Sequence, residues 1–284
     1  MAYAFDMESD DPVKPAGNND DDEEDGWEED REGQISMGMV PMADMLNADA
    51  EFNAHLNHGE DKLTMTSIRP IAAGEEVLNY YGPLPNSDLL RRYGYTSTKH
   101  SRYDVVEISW DLIMKVINDS HDLRGKAKGQ LDEDEMEDGF VLERDAGEPD
   151  EEGRNTTEAR FPSRFPEELQ HQVLQVIAPC LDLDPRKRLS EEEKDKFDWA
   201  LCKIMVRALT LRLEEYGTTI QQDEELLQKD DVHGRQRMAI VVRLGEKKLL
   251  DEARISAHAS IKTYSMIAEK DKKQQGRPAK RQKR

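Results

Sequence analysis

The chain reads as an α+β protein, strand-rich in its first third and helical after about residue 103. Three observations carry that reading. Apolar residues between Phe52 and Asn79 come in short runs broken by Gly, Pro and Asn, which is strand punctuation. From Trp110 onward apolar residues recur at helical spacing. Ser190-Glu191-Glu192-Glu193 is a capping box, a hydroxyl and a third-position carboxylate that serve the free amides at a helix start.

The elements follow in order. Met1 to Phe5 is a short apolar fragment that stops at an acidic tract, so the sequence opens mid-pattern, as a piece cut from something longer would. The tract cannot bury enough apolar surface to offset the cost of ordering, and 6–34 is expected to be a disordered insertion in which Trp27 is a contact for a partner or, on the plainer and preferred reading, an exposed aromatic. Residues 52–56 and 63–68 read as strands around a polar turn at 58–61. Pro70 and Gly74 break the chain before a third strand at 76–79. Asn86 or Ser87 is the expected N-cap of a short helix through Leu89, Leu90 and Tyr93.

A helix is expected at 110–117, then an acidic linker at 124–160. The capping box opens a long amphipathic helix carrying Phe197, Leu201, Met205 and Leu211 and stopped at Gly217. A second long helix, 234–270, carries Ile240, Leu244, Leu250 and Ile261. The expected organisation is therefore a strand-rich part at 1–103, an all-helical part at 104–267 and a basic tail at 268–284.

Composition narrows the function classes. Hydrophobic and charged residues each make up 36% of the 284 residues, and the formal net charge is −21. Such a surface argues for basic protein partners and against direct nucleic-acid binding. No apolar run approaches the ~18–20 residues that span a bilayer, and the first ten residues lack the pattern of a signal peptide, so a soluble intracellular protein is expected. Cys180 and Cys202 have no CxxC spacing and read as buried thiols in a reducing compartment. The seven histidines are scattered, with no metal-ligand spacing, and no metal is expected. The tail KDKKQQGRPAKRQKR holds two basic clusters and reads as a nuclear localisation signal, with a solubilising tail as the plainer reading. Nucleus, and cytoplasm beside it, are the expected locations, and a monomer the expected state.

Taken singly, the candidate site residues are unremarkable. Asn47 could cap a helix, Tyr81 before Gly82 could be a strand-end aromatic, and Tyr93 and Tyr95 could be core. Their joint order is what is specific. Pro41-Met42-Ala43-Asp44-Met45-Leu46-Asn47, then Gly74-Glu75-Glu76-Val77-Leu78-Asn79-Tyr80-Tyr81-Gly82, then Arg92-Tyr93-Gly94-Tyr95 resemble, in that order, the second half of a SET-domain lysine methyltransferase. Within that family the sequence is similar to the Rubisco large-subunit methyltransferase type. The phrase PNSDLLRRYGY resembles the fungal ribosomal lysine methyltransferase 4 group and its animal NF-kappa-B-directed relatives.

The resemblance implies a fold and a set of roles. Residues 1–103 would be the C-terminal portion of a SET domain and 104–267 a helical Rubisco-methyltransferase-type substrate-binding domain. Tyr81 would be the catalytic tyrosine. Asn47, Ala48 and Tyr95 would bind S-adenosylmethionine, and Phe5, Asp44 and Tyr93 would line the lysine channel. The usual Asn-His pair is Asn47-Ala48 here, which the fungal ribosomal branch shares. The family's Gly-x-Gly cofactor loop has no counterpart in this sequence, and the resemblance implies an N-terminal truncation. Two functions follow as expectations. One is methyl transfer from S-adenosylmethionine to a lysine of a ribosomal or other basic protein. The other is a non-catalytic substrate-binding fragment.

Overall fold

The computed structural model describes residues 4–6, 37–39, 45–58, 62–120 and 136–275, giving backbone alone for 4–6, 37–39, 58 and 265–275. It mixes strands and helices, as the α+β reading requires, and divides into two compact units. The first comprises Met1–Gly82 with Pro149–Arg154, and the second Pro83–Glu148 with Asn155–Arg284. The divide thus falls about twenty residues before the expected one at 103/104. The expected insertion at 6–34, with Trp27, lies outside the described residues apart from the backbone of Asp6.

The first unit is built from two-stranded pieces. Strand β1 (Ala4–Asp6) pairs antiparallel with β2 (Met37–Met39). Strand β3 (Asn47–Ala48) runs parallel to β6 (Leu78–Asn79), and β4 (Ala54–His58) runs antiparallel to β5 (Leu63–Ser67). Among the described residues of this unit, Ala48, Ala50, Phe52 and Ala54 are buried, and Phe52 stacks on Tyr80 with ring centroids 4.8 Å apart.

A polar residue does much of the joining among these strands. Asn53 is fully buried. Its Nδ2 donates to Glu75 Oε1 (3.1 Å) and to the Glu76 carbonyl (2.8 Å), and its Oδ1 accepts from Leu78 N (2.8 Å). Its backbone accepts from Ile68 N and donates to Leu78 O. One residue thereby ties the start of β4 to the end of β5 and to β6. Every buried polar atom of it is used, as burial demands. Gly153 closes this unit, its carbonyl accepting from Phe52 N at 3.0 Å.

The second unit is mainly helical. Helix α1 (Asn86–Tyr93) leads through a 3₁₀ turn at Lys99–Tyr103 to strand β7 (Val106–Ser109) and helix α2 (Trp110–Asp119). After β8 (Gly139–Leu142) come α3 (Glu167–Ile177), α4 (Glu191–Glu214), α5 (Ile220–Leu227) and α6 (Gly234–Gln275). The Ser190 capping box forms as expected, with the hydroxyl accepting from Glu193 N and the Glu193 carboxylate taking Ser190 N. Leu169, Ile177, Met205, Leu209, Leu249 and Leu250 make the fully buried centre, where α4 and α6 pack together.

Three expectations are corrected. The helical half is not purely helical, because β7 and β8 form an antiparallel pair whose Val106, Ile108, Phe140 and Leu142 join its core. The stretch expected as a linker at 124–160 contains β8 among its described residues, with buried and exposed side chains alternating along it. And neither Asn86 nor Ser87 caps α1: Pro85 stands at the N-cap with no side-chain cap, since the buried Asn86 amide is bonded elsewhere. Cys202 is buried in α4, where burial pushes its thiol up to about 11, whereas Cys180 is only partly buried.

Candidate active site

Parallel pairing of β3 with β6 sets Asn47 opposite Leu78 and Ala48 opposite Asn79. Two residues beyond β6, the Tyr81 hydroxyl donates to the Leu46 carbonyl at 2.7 Å. The expected catalytic tyrosine is thus tied to the residue just before the expected cofactor asparagine, across a sequence gap of 35. Asn47 is exposed and its Nδ2 donates to Glu76 Oε1 at 2.5 Å.

The Gly74-Glu75-Glu76 entry explains this placement. Gly74 has φ +87°, the left-handed region that suits glycine. The turn it allows aims the two glutamates to different partners. Glu75 accepts from Ala72 N (3.0 Å), Asn53 and Arg69, and the Ala72 amide, Asn53 and Arg69 together hold its carboxyl below the usual glutamate range. Glu76 takes Asn47. So the first glutamate fixes the strand entry and the second meets Asn47, the expected cofactor asparagine.

The remaining expected residues distribute as follows. Phe5 lies in β1, paired with Gly38. Asp44 lies outside the described residues. Tyr93 and Tyr95 belong to the second unit, their ring centroids 6.4 Å apart. Tyr93 ends α1, and Gly94 follows with φ +78°, donating its N–H to the Leu89 and Leu90 carbonyls in a left-handed C-cap. Asn53, Glu76, Asn86 and Asp104 were missed as positioning groups. Each is polar in a stretch where an exposed reading was natural, and each acts through a partner 18 to 29 residues away.

Residues 164–250 match the family described as Rubisco LSMT substrate-binding. The chain is 38% identical over 122 residues to "Ribosomal lysine N-methyltransferase 4" of Saccharomyces cerevisiae, covering 42% of this chain and 24% of that protein. It is 28% identical over 232 residues to "N-lysine methyltransferase setd6" of Danio rerio, covering 75% and 50%. The chain is homologous to the SET-type lysine methyltransferases. It spans half or less of the length of these two SET-type relatives. A solved structure, "Structure of Rubisco LSMT bound to AdoMet", aligns with 85% of this chain and 55% of that chain, at 19% identity and a TM-score of 0.47, too loose a likeness to place any residue.

Proposed function

We propose that this chain serves protein-lysine N-methylation, in which a methyl group passes from S-adenosylmethionine to a lysine of a ribosomal or other basic protein. The hydrogen bond from the Tyr81 hydroxyl to the Leu46 carbonyl supports this best. A phenol hydroxyl that donates to a carbonyl is also of the type that can accept a hydrogen bond from an amine. A lysine must lose its proton to become a nucleophile and must meet the methyl group in line. Tyr81 would orient that amine, and Phe5, Asp44 and Tyr93 would narrow its channel and exclude water, so that positioning and electrostatics supply the rate.

The residues present suit the cofactor. Asn47 is exposed, and with Nδ2 engaged by Glu76 its amide oxygen carries no hydrogen bond among the described residues, leaving an acceptor for a cationic amino group. Asn47, Ala48 and Tyr95 would hold S-adenosylmethionine, which supplies an electrophilic sulfonium methyl when bound. Tyr81→Phe is expected to lower turnover about 10²–10⁴-fold while cofactor affinity, followed by calorimetric titration, stays within about threefold. Equal turnover in the variant would remove Tyr81 from the role.

A second reading has its own support, because the family matched over 164–250 is a substrate-binding one. On that reading the chain docks a basic protein without transferring a methyl group. Titration separates the two: no heat with S-adenosylmethionine but retained affinity for a lysine-rich protein favours the binding module. The basic clusters of the tail would direct the protein to the nucleus, which their deletion from a fluorescent fusion tests.

A further inference from the structure

Tyr93 and Tyr95 flank the left-handed Gly94, so their placement depends on how α1 is anchored. An eight-residue helix is too short to hold itself, since isolated helices below ~12–15 residues are marginal in water. The anchor lies at the other end of the helix. Asn86, its first residue, is fully buried and spends its polar atoms on two distant segments. Its backbone N–H and its Nδ2 both donate to Asp104 Oδ1, each at 3.1 Å. Its Oδ1 accepts from Ser97 N at 2.8 Å, two residues past Tyr95.

The chain from 86 to 97 is thereby closed into a loop by a single amide, with the two tyrosines inside it, four and two residues before Ser97. Asp104 is only 3% exposed and fastens the loop from outside. Its second oxygen, Oδ2, has no hydrogen-bond partner among the described residues and lies against Gly245 of α6, where a β-carbon would collide with it. His100 adds a parallel tie, its Nδ1 2.9 Å from the Leu84 carbonyl. Burial makes ionisation of Asp104 costly and pushes its carboxyl up to about 6. A group that costs stability at neutral pH is poorly explained as a stabiliser alone.

We propose that the buried Asn86–Asp104 pair is a positioning device for the Tyr93–Tyr95 segment, holding the two tyrosines where cofactor and lysine are bound without touching either. The roles of Tyr93 and Tyr95 in this inference rest on the methyltransferase reading, whereas the mechanical coupling of Asn86 to residues 94–97 does not.

The experiment therefore has two arms on the full chain. Backbone hydrogen exchange without cofactor reads the coupling. Asn86→Ala is expected to speed exchange of the Gly94 and Ser97 amides about tenfold or more, as the loss of a buried bond that leaves its partners unsatisfied would. Amides in α4 and α6 should be unchanged. Unchanged exchange at 94–97, or an equal rise throughout α4 and α6, overturns the inference.

Kinetics reads the consequence: KM for S-adenosylmethionine should rise about tenfold while kcat stays within about twofold. A fall in kcat at constant KM also overturns it. Should Asn86→Ala not fold, Asn86→Asp sets two carboxylates face to face, and Asp104→Asn in the same chain restores one amide opposite one carboxylate. Exchange and KM should return toward wild type in that swap, and failure to recover refutes the pairing. Wild-type chain that binds no S-adenosylmethionine refutes the methyltransferase reading, and the exchange arm still decides the coupling.

Discussion

Burial pushes the Asp104 carboxyl up to about 6, against the Asn86 hydrogen bonds and the Arg144 guanidinium, which favour the charged form; Glu246 on α6 pushes with burial. Arg102, Glu224 and Lys248 also face the cleft that Asp104 lines. The folded-state value exceeds the unfolded one of 3.8, so between about pH 4 and pH 6 the native chain binds the proton more readily. Stability from this group is therefore greatest below about pH 4 and is lost as pH rises through 6. By linkage, a carboxyl raised from 3.8 to about 6 corresponds to about 3 kcal/mol. Asp104→Asn should gain about that much relative to wild type between pH 4 and pH 7, measured as the difference in urea-unfolding free energy. A pH-independent difference would mean that Asp104 ionises in the folded state as it does in water. Tyr81 and Asn47 make a contrasting case, since their value lies in the partners they meet, Leu46 and Glu76.

At the scale of elements, the joint between α5 and α6 depends on a buried charge pair. Asp223 on α5 and Lys247 on α6 are 0% and 1% exposed and are ion-paired, and Arg243 joins them. Lys247 Nζ also donates to Thr218 O (2.8 Å) and Thr219 O (3.1 Å), so the ammonium is fully used. Burial pushes the Asp223 carboxyl up, but hydrogen bonds from Arg243, Lys247 and Thr218 outweigh it and bring it down to about 2. Its contribution is present above about pH 4 and lost as pH falls through 2. Lys247→Met leaves the carboxylate buried with one cation fewer and should cost about 3–5 kcal/mol. Asp223→Leu combined with Lys247→Met should cost much less than the two singles added, because neither fully buried charge is left without its partner and the Arg243 guanidinium is partly exposed to solvent. Additive losses in a double-mutant cycle would show that the two groups act independently. Helices α4 and α6 were legible from apolar spacing and from the Ser190 box. Helix α5 was not, although Thr219 and Gln222 form a second capping box that could have revealed it. The β7–β8 pair escaped because its strands are about thirty residues apart in sequence, with acidic chain between them, and neither strand has a turn signal pointing to the other.

Across the whole molecule, short-range chemistry was readable and long-range polar joining was not. The order Asn47, Tyr81, Tyr93-Gly94-Tyr95 carried the resemblance, while Asn53 stood in an expected strand and Asn86 as an expected N-cap, and neither reading revealed their buried partners. Charge is the one global property that the sequence states outright. More than half of the net −21 falls within residues 6–34, and this bears on association rather than on fold. A lysine-rich partner would be drawn in by that field, and the attraction is screened over about 10 Å at 0.1 M ionic strength. Stopped-flow association with a basic protein should therefore slow steeply between about 20 and 300 mM salt, with the dissociation rate changing much less. Replacing the acids of 8–32 with Ser and Asn should flatten that slope and leave kcat untouched, since steering acts on encounter alone. An unaltered slope would move the steering to the acids elsewhere in the chain, and an altered kcat would bring 8–32 into the catalytic step itself.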